Sequence, residues 1–225
     1  MKAFLKSCYA LLLAGCLTVS FVGCSDTDTA ETSAAEDSDD SSTSTYTDEA
    51  AVETESNYYT LIYNSEKVPD DMATTIETYF FAILDQDYDL YQEQIYGPYL
   101  DAMEAQLQED YGYGMETELE QYHQALIDYA STEDFTITSL QLDPAEEALA
   151  DSYDEDTDFI SDYLDAYADY LGDDFIAEVE EDTNGIYDIC MVMKGEDADG
   201  NEITILDSLE ILVVEDADGN FGIFG

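Results

Sequence analysis

Residues 184–225, NGIYDICMVMKGEDADGNEITILDSLEILVVEDADGNFGIFG, decide the fold. Ile186–Lys194 and Ile203–Val214 are rich in β-branched and large apolar residues, as strands are. The hexapeptide Glu-Asp-Ala-Asp-Gly-Asn occurs twice, at 196–201 and 215–220, each time between two β-like runs. Asn and Gly tolerate positive φ, so each copy reads as a hairpin turn. Phe221–Phe224 is then the closing strand. Asn184-Gly185 carries the same turn chemistry. Phe175–Glu180 reads as either a helix end or a strand, with the strand preferred.

Upstream, the periodicity changes. Pro69-Asp70-Asp71 marks a helix start, with acids at the positive end of the dipole. Met72, Ile76, Tyr79, Phe80, Ile83 and Leu84 recur at helical spacing, and Leu90, Tyr91 and Ile95 are expected to continue that stripe. Gly97-Pro98 breaks the run. Leu100, Met103 and Leu107 predict a second helix with Pro98 in its first turn. Met115, Leu119, Tyr122, Leu126, Ile127 and Ala130 predict a third, after the loop Tyr111–Gly114. Phe135–Thr138 and Leu140–Leu142 alternate one register apart, which predicts a strand with a bulge near Ser139. Ala145–Ala150 is a helical turn. Phe159, Ile160, Tyr163, Leu164, Tyr167, Tyr170 and Leu171 make a fourth long helix, stopped by Gly172. Helices first and a meander last give an α+β domain, with N-terminal helices packed on a C-terminal antiparallel sheet. The expected domain is 57–225, with Tyr58–Val68 as an apolar lead-in.

Two segments precede it. Met1–Gly23 has a basic start, Lys2 and Lys6, and then no charge from Ser7 to Gly23. That is an export signal rather than a fold element, and its uncharged run of about 17 residues is short for a spanning helix. Phe21-Val22-Gly23-Cys24 resembles the lipobox of secreted lipoproteins, in which the cysteine is diacylglycerylated and becomes the first residue after cleavage. Leu13-Ala14-Gly15-Cys16 also fits a lipobox. Cys24 is preferred, because cutting before Cys16 would leave the mostly apolar Leu17–Val22 on the mature chain. Two acyl chains hold a protein at a membrane where one binds only marginally. Residues 24–56 are Ser, Thr, Ala, Asp and Glu with almost nothing larger and apolar, so a disordered acidic linker is expected.

Composition excludes several roles. The chain has 56 Asp and Glu against 4 Lys and Arg, for a net charge of −52. Only Lys67 and Lys194 lie beyond the leader. Nucleic acid is excluded, since binding needs cations to displace phosphate counterions. Anionic lipid would repel the domain itself. Millimolar divalent cations at the surface are a partner class the charge allows. Nine Phe and nineteen Tyr argue for a core in spite of the charge. Of four cysteines, only Cys190 lies in the domain, so neither a disulfide framework nor a cysteine metal cluster is expected.

The helix bearing Tyr79-Phe80-Phe81-Ala82-Ile83-Leu84, the further helices, and closing strands that end Asp218-Gly219-Asn220-Phe221-Gly222-Ile223 resemble uncharacterised lipoproteins of Gram-positive bacteria. Their domain is similar to the cystatin-like or nuclear-transport-factor-like α+β cone. The resemblance implies a curved sheet with helices in its mouth, and no particular activity.

For chemistry, the twin turns fail as EF-hand loops. With Gly200 or Gly219 at the sixth position, the first and twelfth positions are Gly195 and Leu206, or Val214 and Gly225, none with a side-chain oxygen. No metal site, cofactor or catalytic residue is therefore assigned. His123, the sole histidine, sits beside an apolar stripe and is expected at the surface. Tyr88, Tyr91, Tyr96, Tyr99, Tyr111 and Tyr113 are the candidate ligand-binding cluster, for a peptide, a glycan or an envelope protein. The preferred reading is a lipid-anchored extracytoplasmic binding or scaffolding domain. The alternative is a small-molecule enzyme on a ketosteroid-isomerase-like cone, with an acid and a Tyr hydroxyl meeting in an apolar pocket.

Overall fold

A computed structural model describes residues 52–55, 58–150 and 159–225. The leader, Cys24, Cys16 and the linker up to residue 51 lie outside the described residues. The chain runs β1 (Val52–Glu55), β2 (Thr60–Tyr63), α1 (Asp70–Asp85), α2 (Tyr88–Gln94), α3 (Gly97–Asp110), α4 (Met115–Ala130), β3 (Phe135–Pro144), α5 (Ala145–Ala148), α6 (Phe159–Leu171), α7 (Asp173–Asp182), β4 (Thr183–Asp197), β5 (Glu202–Asp216) and β6 (Phe221–Ile223). The fold is α+β, on one sheet ordered β1-β2-β3-β4-β5-β6.

Strands β3 to β6 form the expected antiparallel meander. The predicted bulge is present as a register shift between Ile137 and Ser139. Both Glu-Asp-Ala-Asp-Gly-Asn copies are hairpin turns, built identically. Asp197 Oδ1 accepts from the backbone N–H of Asp199 and Asn201, at 2.9 Å each, and Asn201 Nδ2 donates to the same carboxylate. Asp216 does the same with Asp218 and Asn220. These bonds, led by the asparagine side chain, hold both carboxyls below the usual carboxylate range. Gly200 takes φ 79° with open space around its Cα, so a methyl group there would meet only backbone strain. Gly200→Ala is therefore expected to cost about 1 kcal/mol in urea unfolding, the left-handed penalty alone.

Beyond this meander, β2 pairs in parallel with β3, and β1 pairs antiparallel with β2. Among the described residues the first strand is Val52–Glu55, ahead of the expected start at 57. Val52 and Thr54, both β-branched, alternate with Glu53 and Glu55, a strand pattern that the acidic composition of the linker hides.

Two other expectations are corrected. Phe175–Glu180 is part of helix α7. Gly172, at φ 102°, ends α6, Asp173 and Asp174 fill the next first turn, and Ile176 and Val179 bury one face. Asn184-Gly185 is not a hairpin, because with α7 before it there is no strand for a turn to join. Instead β4 leaves the helix directly, a bulge falls between Thr183 and Gly185, and Asn184 Nδ2 donates to Asp216 O at 2.7 Å. Leu90 and Tyr91 belong to a separate helix. Gln86 turns left-handed at φ 54°, and the Asp87 side chain accepts from Leu90 N to cap α2.

The core follows from the register. Leu61 and Tyr63, Leu140 and Leu142, Met193, Met191 and Ile189, then Ile211 and Val213, then Ile223 share one face and are all buried. The stripe of α1, Met72, Ile76, Tyr79, Phe80 and Ile83, is buried too, and α1 packs on β6 and β2. The alternate face of β4 and β5 is also covered at Cys190, Leu212 and Val214. An unbroken run such as Ile211-Leu212-Val213-Val214 suits strands buried on both sides. The β6 edge is closed by Tyr96, whose N–H donates to Ile223 O at 2.9 Å. Gly222 permits that approach, since a Cβ there would lie 2.9 Å from Tyr96 Cα.

Candidate functional site: an aromatic cleft around His123

Phe80 and Phe81 are neighbours on α1, so they point to different sides of the helix. Phe80 is buried in the core, while Phe81 is half-exposed. Tyr58, which precedes β2, stacks on Phe81 with ring centroids 3.7 Å apart and planes 17° from parallel. Tyr59 turns inward, and its hydroxyl donates to Glu77 O at 2.8 Å. Burial raises the Tyr59 phenol well above its ordinary range, so it stays neutral.

His123 arrives from α4, and its Nδ1 lies 3.1 Å from Ile83 O, on α1. In the neutral ring that bond requires a proton on Nδ1, which leaves Nε2 as an acceptor. The expected surface position is corrected accordingly. His123 is half-buried and ties α4 to α1, because its place beside the apolar stripe is where the two helices meet.

These groups line an open cleft of about 440 Å³. Leu84, Ile127, Phe135 and Ile137 complete its apolar wall, and exposed Asp85 and Glu133 stand at it. The volume falls in the range of small-molecule sites, roughly 300–1,000 Å³. No Lys or Arg is among the described residues lining it.

The six candidate tyrosines do not share this cleft. Tyr91 and Tyr99 are core residues, 1% and 3% exposed. Burial is the main reason that both phenols titrate well above their ordinary value. Tyr88 stacks at 6.3 Å on Tyr91, and Tyr96 and Tyr99 pack on Phe224. Tyr111 is exposed and stacks with Tyr113 at 5.6 Å. Most of the cluster is packing, with tyrosine standing where leucine or phenylalanine would also serve.

Two acids sit in packed surroundings. Glu118, on α4, is 3% exposed and accepts from Tyr113 Oη at 2.9 Å. Loss of water raises its carboxyl above the usual range, and the tyrosine bond partly offsets this. It lies outside the cleft lining and is a satisfied core acid. Asp188, on β4, has both carboxylate oxygens buried, and its side-chain partner is the Glu210 carboxyl. Burial first, and then the charge of Glu210 diagonally across on β5, push it up to about 7. The signals for Asp188 and Glu210 are in the sequence. Asp188 interrupts the apolar run 186–193, and Glu210 stands between Leu209 and Ile211. Among the described residues no group of three or more His, Cys, Asp or Glu could hold a metal ion.

The cleft is legible only in part. Tyr58 and Phe81 fall in stretches that read as lead-in and helix core, and nothing local says that they stack. No helix among the described residues is long and apolar enough to cross a membrane. No protein-family model matches the chain, and no curated protein or solved structure is significantly similar to it.

Proposed function

We propose that this chain is a lipid-anchored extracytoplasmic lipoprotein whose α+β domain binds a small aromatic ligand in the Tyr58–Phe81–His123 cleft. The cleft is the observation that carries the binding half. It offers the stacked aromatic pair Tyr58 and Phe81, an apolar wall, the His123 imidazole and the Asp85 and Glu133 carboxylates. That combination of much apolar surface and few polar groups suits recognition. An acid–tyrosine pair in an enclosed pocket is the feature a cone-fold enzyme would need. The packed pair here, Glu118 and Tyr113, does not line the cleft.

The anchoring half rests on the leader pattern and on Cys24. Mass spectrometry of the N-terminal peptide from the membrane fraction is expected to give diacylglyceryl-modified Cys24 as first residue. An intact leader or an unmodified Cys24 overturns that half. For the binding half, the neutral probe 2-phenylethanol is expected to bind saturably at millimolar concentration. Phe81→Ala, which removes one stacking face, is expected to weaken it by about tenfold. Undiminished binding to that variant would move the site elsewhere.

A further inference from the structure

We infer that the cleft selects cationic aromatic ligands, aryl-alkyl ammonium compounds, over neutral or anionic ones of the same shape; this rests on the cleft being a binding site. Its carboxylates, its aromatic rings and the His123 acceptor favour a cation. Tyr58, Tyr59, Phe81 and Phe135 bring aromatic rings, whose faces carry the negative part of the quadrupole. Asp85 and Glu133 are its carboxylates, and both are exposed and able to reach a ligand at the opening. His123 has Nδ1 committed to Ile83 O, so the neutral ring presents Nε2 as an acceptor for an ammonium N–H. No Lys or Arg among the described lining residues competes for the carboxylates. Of the two lysines outside the leader, Lys67 pairs with Glu147 at 2.6 Å, and Lys194 lies 3.8 Å from Glu202.

The apolar wall sets the other half of the selectivity. A bare metal cation or a small alkylamine would leave Leu84, Ile127 and Ile137 in contact with water, whereas an aryl group covers them. The strong negative charge of the chain draws any cation towards the surface, so the discriminating comparison must hold that general attraction fixed.

Three probes of one shape do this: 2-phenylethylamine, protonated at neutral pH, 2-phenylethanol, and phenylacetate. Ligand-observed NMR titration of the mature protein at about 0.15 M salt, where distant charges are screened, gives each dissociation constant. The amine is expected to bind roughly fivefold tighter than the alcohol, from one cation–π contact and two partly screened carboxylates. Phenylacetate is expected not to bind. The double substitution Asp85→Asn, Glu133→Gln should bring the amine down to the alcohol and leave the alcohol unchanged. A control pair of exposed acids outside the lining, Asp101→Asn with Glu109→Gln, should change neither. Equal binding of amine and alcohol overturns the cation preference and leaves the cleft standing as a site. Failure of all three probes overturns both. An equal loss of amine binding in the control pair reduces the preference to bulk charge and also overturns it.

Discussion

Phe224→Ala is expected to destabilise the domain by about 3–5 kcal/mol, the range for emptying a buried phenylalanine site. Phe224 follows β6 and is 0% exposed. Its N–H donates to Leu212 O at 2.9 Å, so the backbone is fixed before the ring is placed. The ring then meets Tyr99 at 4.9 Å, Tyr167 at 5.1 Å, Phe175 at 6.2 Å and Tyr96 at 6.4 Å. Tilted, edge-on and offset arrangements at such distances are favourable beyond the area they bury. Those partners come from α3, its leading residue Tyr96, α6 and α7, so one side chain joins three helices to the last strand. Truncation would open a cavity that four rings held by three helices cannot all close. For a domain this size the loss corresponds to a melting temperature lower by roughly 10 °C. Phe224→Leu, which keeps most of the volume, should lose about half as much. A fall below 1 kcal/mol for the alanine variant would mean that the C-terminus is not the keystone described.

Asp188→Asn is expected to stabilise the protein at about pH 8 and to do so by only a small part of that amount at about pH 4.5, just above the ordinary carboxyl value. The sign follows from linkage. In the fold Asp188 keeps its proton up to about 7, because burial and the Glu210 carboxylate oppose ionisation. In the unfolded chain it ionises near its ordinary value of 3.8. Between those values the native state binds the extra proton, so stability falls as pH rises through that window and stays low above it. Asparagine has no proton to lose and escapes the penalty. With allowance for water screening at a half-buried position, the gain at the higher pH is about 2 kcal/mol. Glu210→Gln, which removes the second cause and leaves the burial, should show the same pH dependence with a smaller size, and the double variant should gain less than the sum. The other groups on this sheet face at that point are Cys190, opposite Glu210, and Asp143, opposite Cys190. Urea midpoints at the two pH values read the effect directly. An equal change at both would place its cause in packing and not in charge.

The sequence carried what is local. Each Glu-Asp-Ala-Asp-Gly-Asn copy satisfies its own turn with its own Asp and Asn, so the turn can be read without knowing the fold. The stripes of α1, α4 and α6 and the bulge at Ser139 follow from periodicity in the same way. Misreadings arose where a short stretch obeys two periods at once. Phe175-Ile176-Ala177-Glu178-Val179-Glu180 alternates loosely, yet Phe175, Ile176 and Val179 also share one helical face, and the Gly172 break with its two following aspartates decides for the helix. Asn184-Gly185 shows the converse. Its turn propensity is real, but a hairpin needs a strand on each side. The parallel pairing of β2 with β3 was hidden because four helices separate the strands. The cleft was hidden for a related reason. Tyr58, Phe81, His123 and Phe135 lie far apart along the chain, and only the contact of α1 with α4 and the crossing back to β3 bring them together. The tyrosine cluster proposed from spacing shows how little composition alone says. Tyr91 and Tyr99 bear the residue type of a binding face and the burial of a core.

Because the chain has one histidine, its imidazole carbon-bound protons give a single set of NMR signals from the lining of the cleft. Following them while the mature protein is titrated with 2-phenylethylamine tests the account most directly. The predicted result is a saturable shift of the His123 signals that disappears in Phe81→Ala. Binding of the amine with His123 unmoved, or a shift that persists without Phe81, would contradict it.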